Sequence, residues 1–366
     1  MIYFDHVATT PMSREALDTY REVAENFYAN SESLHQAGNA AGQLVNESKA
    51  TIAKLLDVPV EGLIFTSGGT ESNHLGIQSL ATGTAKKEIL VSPLEHSSVY
   101  EELTYLEETA NYKIKILPVD DKGHVTPAIL KRAITAETGL VIIQAVNAIM
   151  GIVQDISALN EVATAASVPL FVDAVQGLAK VPLDLSRVAG FSASAHKFNG
   201  PKSCGILYLS PQTITKAPYK YVFQQNGFLP GTIAVPEVVS ATVALSTAWD
   251  HQAANLKHVS DLKKQLLSLI APSIHPIAAW AEYPGICGLL LPSTQGQMAA
   301  TTMGQHGYCF STVSACSIKD PRPDNTLMAL GLTEEQAGRF IRISFGSNNT
   351  ADEVTQFAAA LNQDYS

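Results

Sequence analysis

Val168-Pro169-Leu170-Phe171-Val172-Asp173 is a short apolar run closed by a carboxylate, and Ser192-Ala193-Ser194-Ala195-His196-Lys197 places Lys197 24 positions beyond Asp173. The first run reads as a buried strand, because β-branched and aromatic residues dominate it and a polar residue ends it. In open α/β sheets, ligands gather at the carboxyl ends of strands. A lysine amine can form a Schiff base, and a strand-end carboxylate can keep a pyridinium nitrogen protonated so that the ring accepts electrons. Lys197 and Asp173 are therefore the pair that a pyridoxal phosphate enzyme requires.

Outward from this pair, strand and helix patterns alternate between about residues 38 and 210. Leu63-Ile64-Phe65, Ile89-Leu90-Val91, 114–117 and 140–143 read as strands, and 39–56, 97–109, 127–133 and 157–166 as helices. Such alternation predicts βαβ units and a mostly parallel sheet, hence an α/β fold. After Asp250 the texture changes to a polar helix over 256–270, a proline-broken stretch over 271–297, a Ser/Pro-rich loop and a C-terminal helix. The expected division is a large domain over 14–250 and a smaller α+β domain from 1–13 and 251–366.

A chain of 366 residues should hold more than one core. Its 46% hydrophobic and 16% charged residues suit a buried parallel sheet. The net charge of −10 argues against nucleic acid or an anionic membrane as partner. No signal-peptide pattern is visible, and no apolar run reaches membrane length, so a cytoplasmic enzyme is expected. Cys204, Cys287, Cys309 and Cys316 lack C-x-x-C spacing, so neither a metal site nor a disulfide framework is expected.

Further polar signals fall at predicted strand ends. Ser67-Gly68-Gly69-Thr70 lies between a strand and a helix, where glycines let backbone N–H groups approach an anion. The same pattern also serves as a simple tight turn. His96 begins a helix and could stack on a cofactor ring or merely open the helix. Gln176 stands near Asp173, while Ser194 and His196 precede Lys197. Cys204, Cys287 and Cys309 read as small core residues, whereas Cys316 has small and polar flanks that suit a loop.

In their order along the chain these segments resemble the cysteine desulfurases, which are fold-type I pyridoxal phosphate enzymes of the aminotransferase class V group. The resemblance runs from Asp5-His6-Val7-Ala8-Thr9-Thr10-Pro11 through 65–73 and 172–176. It continues in His196-Lys197, Pro230-Gly231-Thr232, Ser314-Ala315-Cys316 and Ile341-Arg342-Ile343-Ser344. It implies that Lys197 carries the cofactor, that Asp173 pairs with its ring nitrogen and that Gln176 meets its phenolic oxygen. His96 would stack on the ring and move protons. Gly69, Thr70, Ser194 and His196 would hold the phosphate, joined by Thr232 from the other subunit of a homodimer. Arg342 would take the substrate carboxylate with Asn147 nearby, and Cys316 would be the nucleophile that accepts sulfur, with Lys319 and Arg322 as cations near it.

The chain departs from the family pattern at the substrate rim. Asn147-Ala148-Ile149-Met150-Gly151 replaces Asn-Asn-Glu-Ile-Gly, Leu229 stands for an arginine, and Ser347 for another. The expected activity is conversion of L-cysteine to L-alanine, with sulfur held as a persulfide on Cys316 and passed to a protein acceptor for iron–sulfur cluster assembly or thiolation. The altered rim keeps two alternatives open: a selenocysteine lyase or other pyridoxal phosphate lyase, and a weakly active, partner-dependent sulfur-relay protein.

Overall fold

The computed structural model describes residues 1–313 and 324–366. The chain opens with β1 (Ile2–Tyr3), followed by α1 (Arg14–Asn26), which the Ser13 hydroxyl caps by accepting from the Ala16 N–H, and α2 (Gln36–Leu56). The main sheet then builds through β2 (Leu63–Thr66), β3 (Glu88–Val91), β4 (Lys113–Ile116), β5 (Thr138–Gln144), β6 (Leu170–Asp173), β7 (Gly190–Ser194) and β8 (Gly205–Leu209). Helices α3 (Gly69–Thr82), α4 (Ser97–Ala110), α5 (Pro127–Ala133) and α6 (Ile156–Ala165) alternate with these strands.

The strand order is β2-β8-β7-β6-β5-β3-β4, with only β8 running antiparallel to its neighbours. This arrangement aligns the carboxyl ends of the other strands along one edge, so Thr66, Gln144, Asp173 and Ser194 all finish there. Every residue of β5, β6, β7 and β8 is buried, as expected for strands covered on both faces. One face packs Val141, Ile143 and Val172 against α1, α2, α6 and the helix α7 (Val235–Asp250). The opposite face packs Ile142 and Phe171 against α3 and α4.

Beyond α7, the chain forms α8 (Gln252–Leu269), β9 (His275–Ile277), β10 (Ile286–Leu290), α9 (Gly296–Gln305) and β11 (Tyr308–Cys309). It ends with α10 (Asn325–Ala329), α11 (Glu334–Gly338), β12 (Phe340–Ser344) and α12 (Ala351–Tyr365). Strands β12, β10 and β9 form an antiparallel sheet, and β1 pairs with β11. Phe4 joins Leu262, Leu289, Ile343 and Phe357 in this second core. A smaller cluster links Leu94 and Ile149 to Leu290 and Phe340, so the two sheets share apolar contacts. Among the described residues, no helix is long and apolar enough to cross a membrane.

Most predicted elements lie within a few residues of those observed, and α5 coincides with its predicted bounds. Cys204 and Cys287 are buried as expected, but Cys309 is only partly so. It lies on β11, whose single strand partner is the two-residue β1, so the core reading of Cys309 is corrected.

Candidate active site

A cavity of about 250 Å³ opens at the carboxyl edge of the main sheet. It gathers Gly69, Thr70, His96, Asp173, Gln176, Ser194, His196, Lys197 and Arg342, which the sequence places on separate segments. Asn147 is not among the lining residues. Its amide donates to Leu94 O and Thr326 Oγ1, while its Oδ1 accepts from the N–H groups of Ile149 and Met150, so it braces the turn beneath the rim. Thr232 is exposed in the chain as described and lies away from the cavity. Cys316, Lys319 and Arg322 fall outside the described residues.

Asp173 ends β6 with 6% of its surface exposed. Its Oδ2 accepts from Asn73 Nδ2 at 2.9 Å and its Oδ1 from the Val175 N–H at 3.0 Å. Asn73 lies one turn into α3, and its Oδ1 accepts from Ser192 Oγ, so the carboxylate is held by a chain of buried polar groups. Sequence reasoning left Asn73 without a role, although its position one turn beyond Gly69 puts it on the same helix face.

Lys197 follows β7 in a single 3₁₀ turn. Its Nζ donates to Val7 O at 2.7 Å and Ala8 O at 2.8 Å. The Thr10 N–H and hydroxyl both bond His196 O, so the segment after β1 is stitched directly onto the lysine turn. Asp5 of that segment reaches Arg342 Nη2 at 3.0 Å, a contact the sequence gave no means of pairing. Arg342 lies on β12, and its Nη1 donates to Ala148 O at 3.1 Å.

His96 caps α4: its Nδ1 accepts the Ser98 N–H at 3.2 Å. The neutral ring then carries its proton on Nε2. Burial pushes the imidazole below its usual pKa, with Asp173 opposing and Lys197 adding to the shift. His196 is pushed down to about 4, mainly by burial and then by Lys197. Glu95 is held well above the ordinary carboxylate range by burial and by Asp173, and its Oε1 accepts the Gln144 N–H at 2.7 Å.

The donors fit pyridoxal phosphate. A Cβ at Gly69 would lie 2.8 Å from Val175 Cγ2 and close to Ser194, narrowing the cradle at the start of α3. Thr70, Ser194, His196 and Lys202 surround the adjoining recess, matching the donors a phosphate needs at a helix N-terminus. Asp173 can face a ring nitrogen and Lys197 an aldehyde. Gln144 lines the same cavity, and its buried Nε2 has no hydrogen-bond partner among the described residues.

A mostly parallel sheet carrying this donor set at its carboxyl edge defines the fold-type I class of pyridoxal phosphate enzymes. The chain belongs to the aminotransferase class-V family, whose profile matches residues 2–357. It is 34% identical to a putative cysteine desulfurase NifS of Bacillus subtilis (strain 168), over 97% of this chain and 92% of that one. It is 29% identical to a cysteine desulfurase of Homo sapiens, covering 96% of this chain and 79% of the human protein. A solved NifS-like protein superposes with a TM-score of 0.92 at 28% identity, covering 99% of this chain and 98% of that one.

Proposed function

We propose that this protein is a homodimeric, cytoplasmic cysteine desulfurase that uses pyridoxal phosphate to convert L-cysteine to L-alanine. Sulfur is held as a persulfide on Cys316 and passes to a protein acceptor serving iron–sulfur cluster assembly or thiolation. The observation that carries this reading is the meeting of Lys197, Asp173 and Arg342 in one cavity: an amine, a ring-nitrogen partner and a carboxylate receptor. The names of the relatives support the choice of substrate.

When bound, pyridoxal phosphate supplies an electron sink next to the substrate α-carbon. Lys197 would anchor it and, as a free amine, would move protons near the substrate carbons. Asp173 would keep a ring nitrogen charged. His96 would lie against the ring and offer Nε2–H. Thr70, Ser194 and His196 would hold the phosphate, with Thr232 of the second copy, and the exposed Phe223 and Tyr221, close to Thr232 in the sequence, support an apolar face for that copy. Arg342 orients the substrate carboxylate, and Asn147 supports the rim by bracing its turn. The Cys316 thiolate attacks the substrate sulfur, the carbon–sulfur bond breaks, and the carbon keeps the electron pair and gains a proton.

The test is purified, pyridoxal phosphate-loaded protein given L-cysteine, with alanine and sulfide measured beside Cys316→Ala. Alanine formation that disappears in the variant is expected, whereas equal alanine from both proteins would remove the persulfide route. Ala148 lines the cavity where the family pattern has an asparagine, which favours a second reading as a selenocysteine lyase or related lyase. Turnover of selenocysteine that persists in Cys316→Ala would select it. A protein that turns over only after a partner is added would select the sulfur-relay reading.

A further inference from the structure

The turn after β6 holds a cation with no part in the reaction above. Lys180 is partly buried, and its Nζ donates to Gln176 Oε1 at 2.6 Å. The charged groups facing it are cations, Lys197 and Arg342. His6 and His196 also lie within its field, and the Tyr283 ring centroid is 6.0 Å away.

An ammonium only donates hydrogen bonds, so Lys180 settles which end of the Gln176 amide it meets. The carbonyl oxygen turns to Lys180, and Nε2 turns to Val7 O at 2.9 Å, the same carbonyl that accepts from Lys197 Nζ. Gln176 is 5% exposed and lines the cavity. With its oxygen committed, the side it can offer to a bound group is N–H.

We infer that Lys180 is a positioning residue that works through Gln176, fixing the amide with its N–H side toward the cavity and setting how readily the chromophore of bound cofactor loses its proton. This rests on the pyridoxal phosphate reading. An N–H donor beside the phenolic oxygen, backed by a cation, favours the deprotonated chromophore. Burial, then Lys197 and Arg342, hold Lys180 down at about 7, so the cation weakens as pH rises through neutrality. Removing Lys180 deletes the charge and frees the amide to flip, and both changes move the chromophore toward the protonated form.

The experiment titrates the visible absorbance of the full chain reconstituted with pyridoxal phosphate, for wild type, Lys180→Met, Gln176→Leu and the double variant. Lys180→Met should raise the pH midpoint by about one unit, a tenfold change in proton affinity. That rise should vanish in the Gln176→Leu background, since coupled residues are not additive. An unmoved midpoint in Lys180→Met overturns the inference, and so does an equal rise in both backgrounds. If thermal unfolding shows that Lys180→Met does not fold, Lys180→Gln takes its place under the same criteria. A wild type that acquires no visible band sinks the cofactor reading itself, whereas a normal band with an unmoved variant sinks this inference alone.

Discussion

Asp5 Oδ1 and Arg342 Nη2 lie 3.0 Å apart, so the guanidinium proposed to receive a substrate carboxylate already holds one from its own chain. Arg342 is 1% exposed, and its Nε has no hydrogen-bond partner among the described residues. A guanidinium carries five donors, so Asp5 and Ala148 O fix its plane and leave other N–H groups for a ligand. Burial raises the Asp5 pKa despite the opposing Arg342, which marks the pair as compensating for desolvation rather than as a surplus of attraction.

Removing one partner of a buried pair leaves an unbalanced charge. Asp5→Asn should therefore cost about 2 kcal/mol in urea unfolding, less than a fully dry pair because Asp5 keeps some exposure. Arg342→Lys should keep the charge but lose the two-pronged geometry, lowering kcat/KM for cysteine about 10- to 100-fold, chiefly through KM. Steady-state kinetics that match wild type would remove Arg342 from substrate binding.

Asp173→Asn keeps the side-chain shape, leaves one acceptor for the two N–H groups of Asn73 and Val175, and cannot hold a charged ring nitrogen. Reconstituted protein should still show a visible cofactor band, while alanine formation falls about 100-fold, the scale seen when a preorganised electrostatic partner is lost. Undiminished turnover would contradict the assigned role.

Glu95 is buried, and burial followed by Asp173 holds its carboxyl well above the ordinary carboxylate pKa. Its folded pKa is raised, so the carboxyl lowers stability as pH climbs above the ordinary carboxylate value. Glu95→Gln, which retains an acceptor for the Gln144 N–H, should leave stability at pH 5 within about 0.5 kcal/mol and remove that loss at higher pH. Glu95→Ala should cost about 1–3 kcal/mol by orphaning the Gln144 N–H. Denaturant unfolding at several pH values distinguishes these outcomes.

His6 and His196 are both depressed from 6.5 to about 4, mainly by burial, with Lys180 and Lys197 the leading charges respectively. The folded state then binds fewer protons than the unfolded chain between those values. Stability from these groups is present above pH 6.5 and is lost as pH falls toward 4. Cofactor-free protein should therefore unfold more readily at pH 4.5 than at pH 6.5. His6→Asn should flatten that dependence, and an unchanged pH profile of thermal unfolding would refute its contribution.

The alternation of β5, β6 and their flanking helices was legible because an apolar strand buried on both faces leaves a continuous hydrophobic run. Asp173 and Lys197 could be read as a functional pair because strand-end polar residues have few structural uses. Strand β7, Gly190–Ser194, gave no such signal: its small residues are buried by neighbours that only the folded sheet supplies. The proposed role of Asn147 came from its place in a motif, whereas the fold uses both its amide N–H donors and its carbonyl oxygen in bracing a turn.

By itself the sequence determined the class of sheet, the alternation of its strands and helices up to β6 and the chemical types gathered at its carboxyl edge, because local periodicity and strand-end chemistry are written in neighbouring residues. Tertiary structure alone decided that Asp5 meets Arg342, that Lys180 turns Gln176, and that Val7 O receives both Gln176 and Lys197. The first and last of these contacts join segments more than a hundred positions apart. Such pairings depend on how two sheets pack and on which buried donors find acceptors, and no local pattern encodes that.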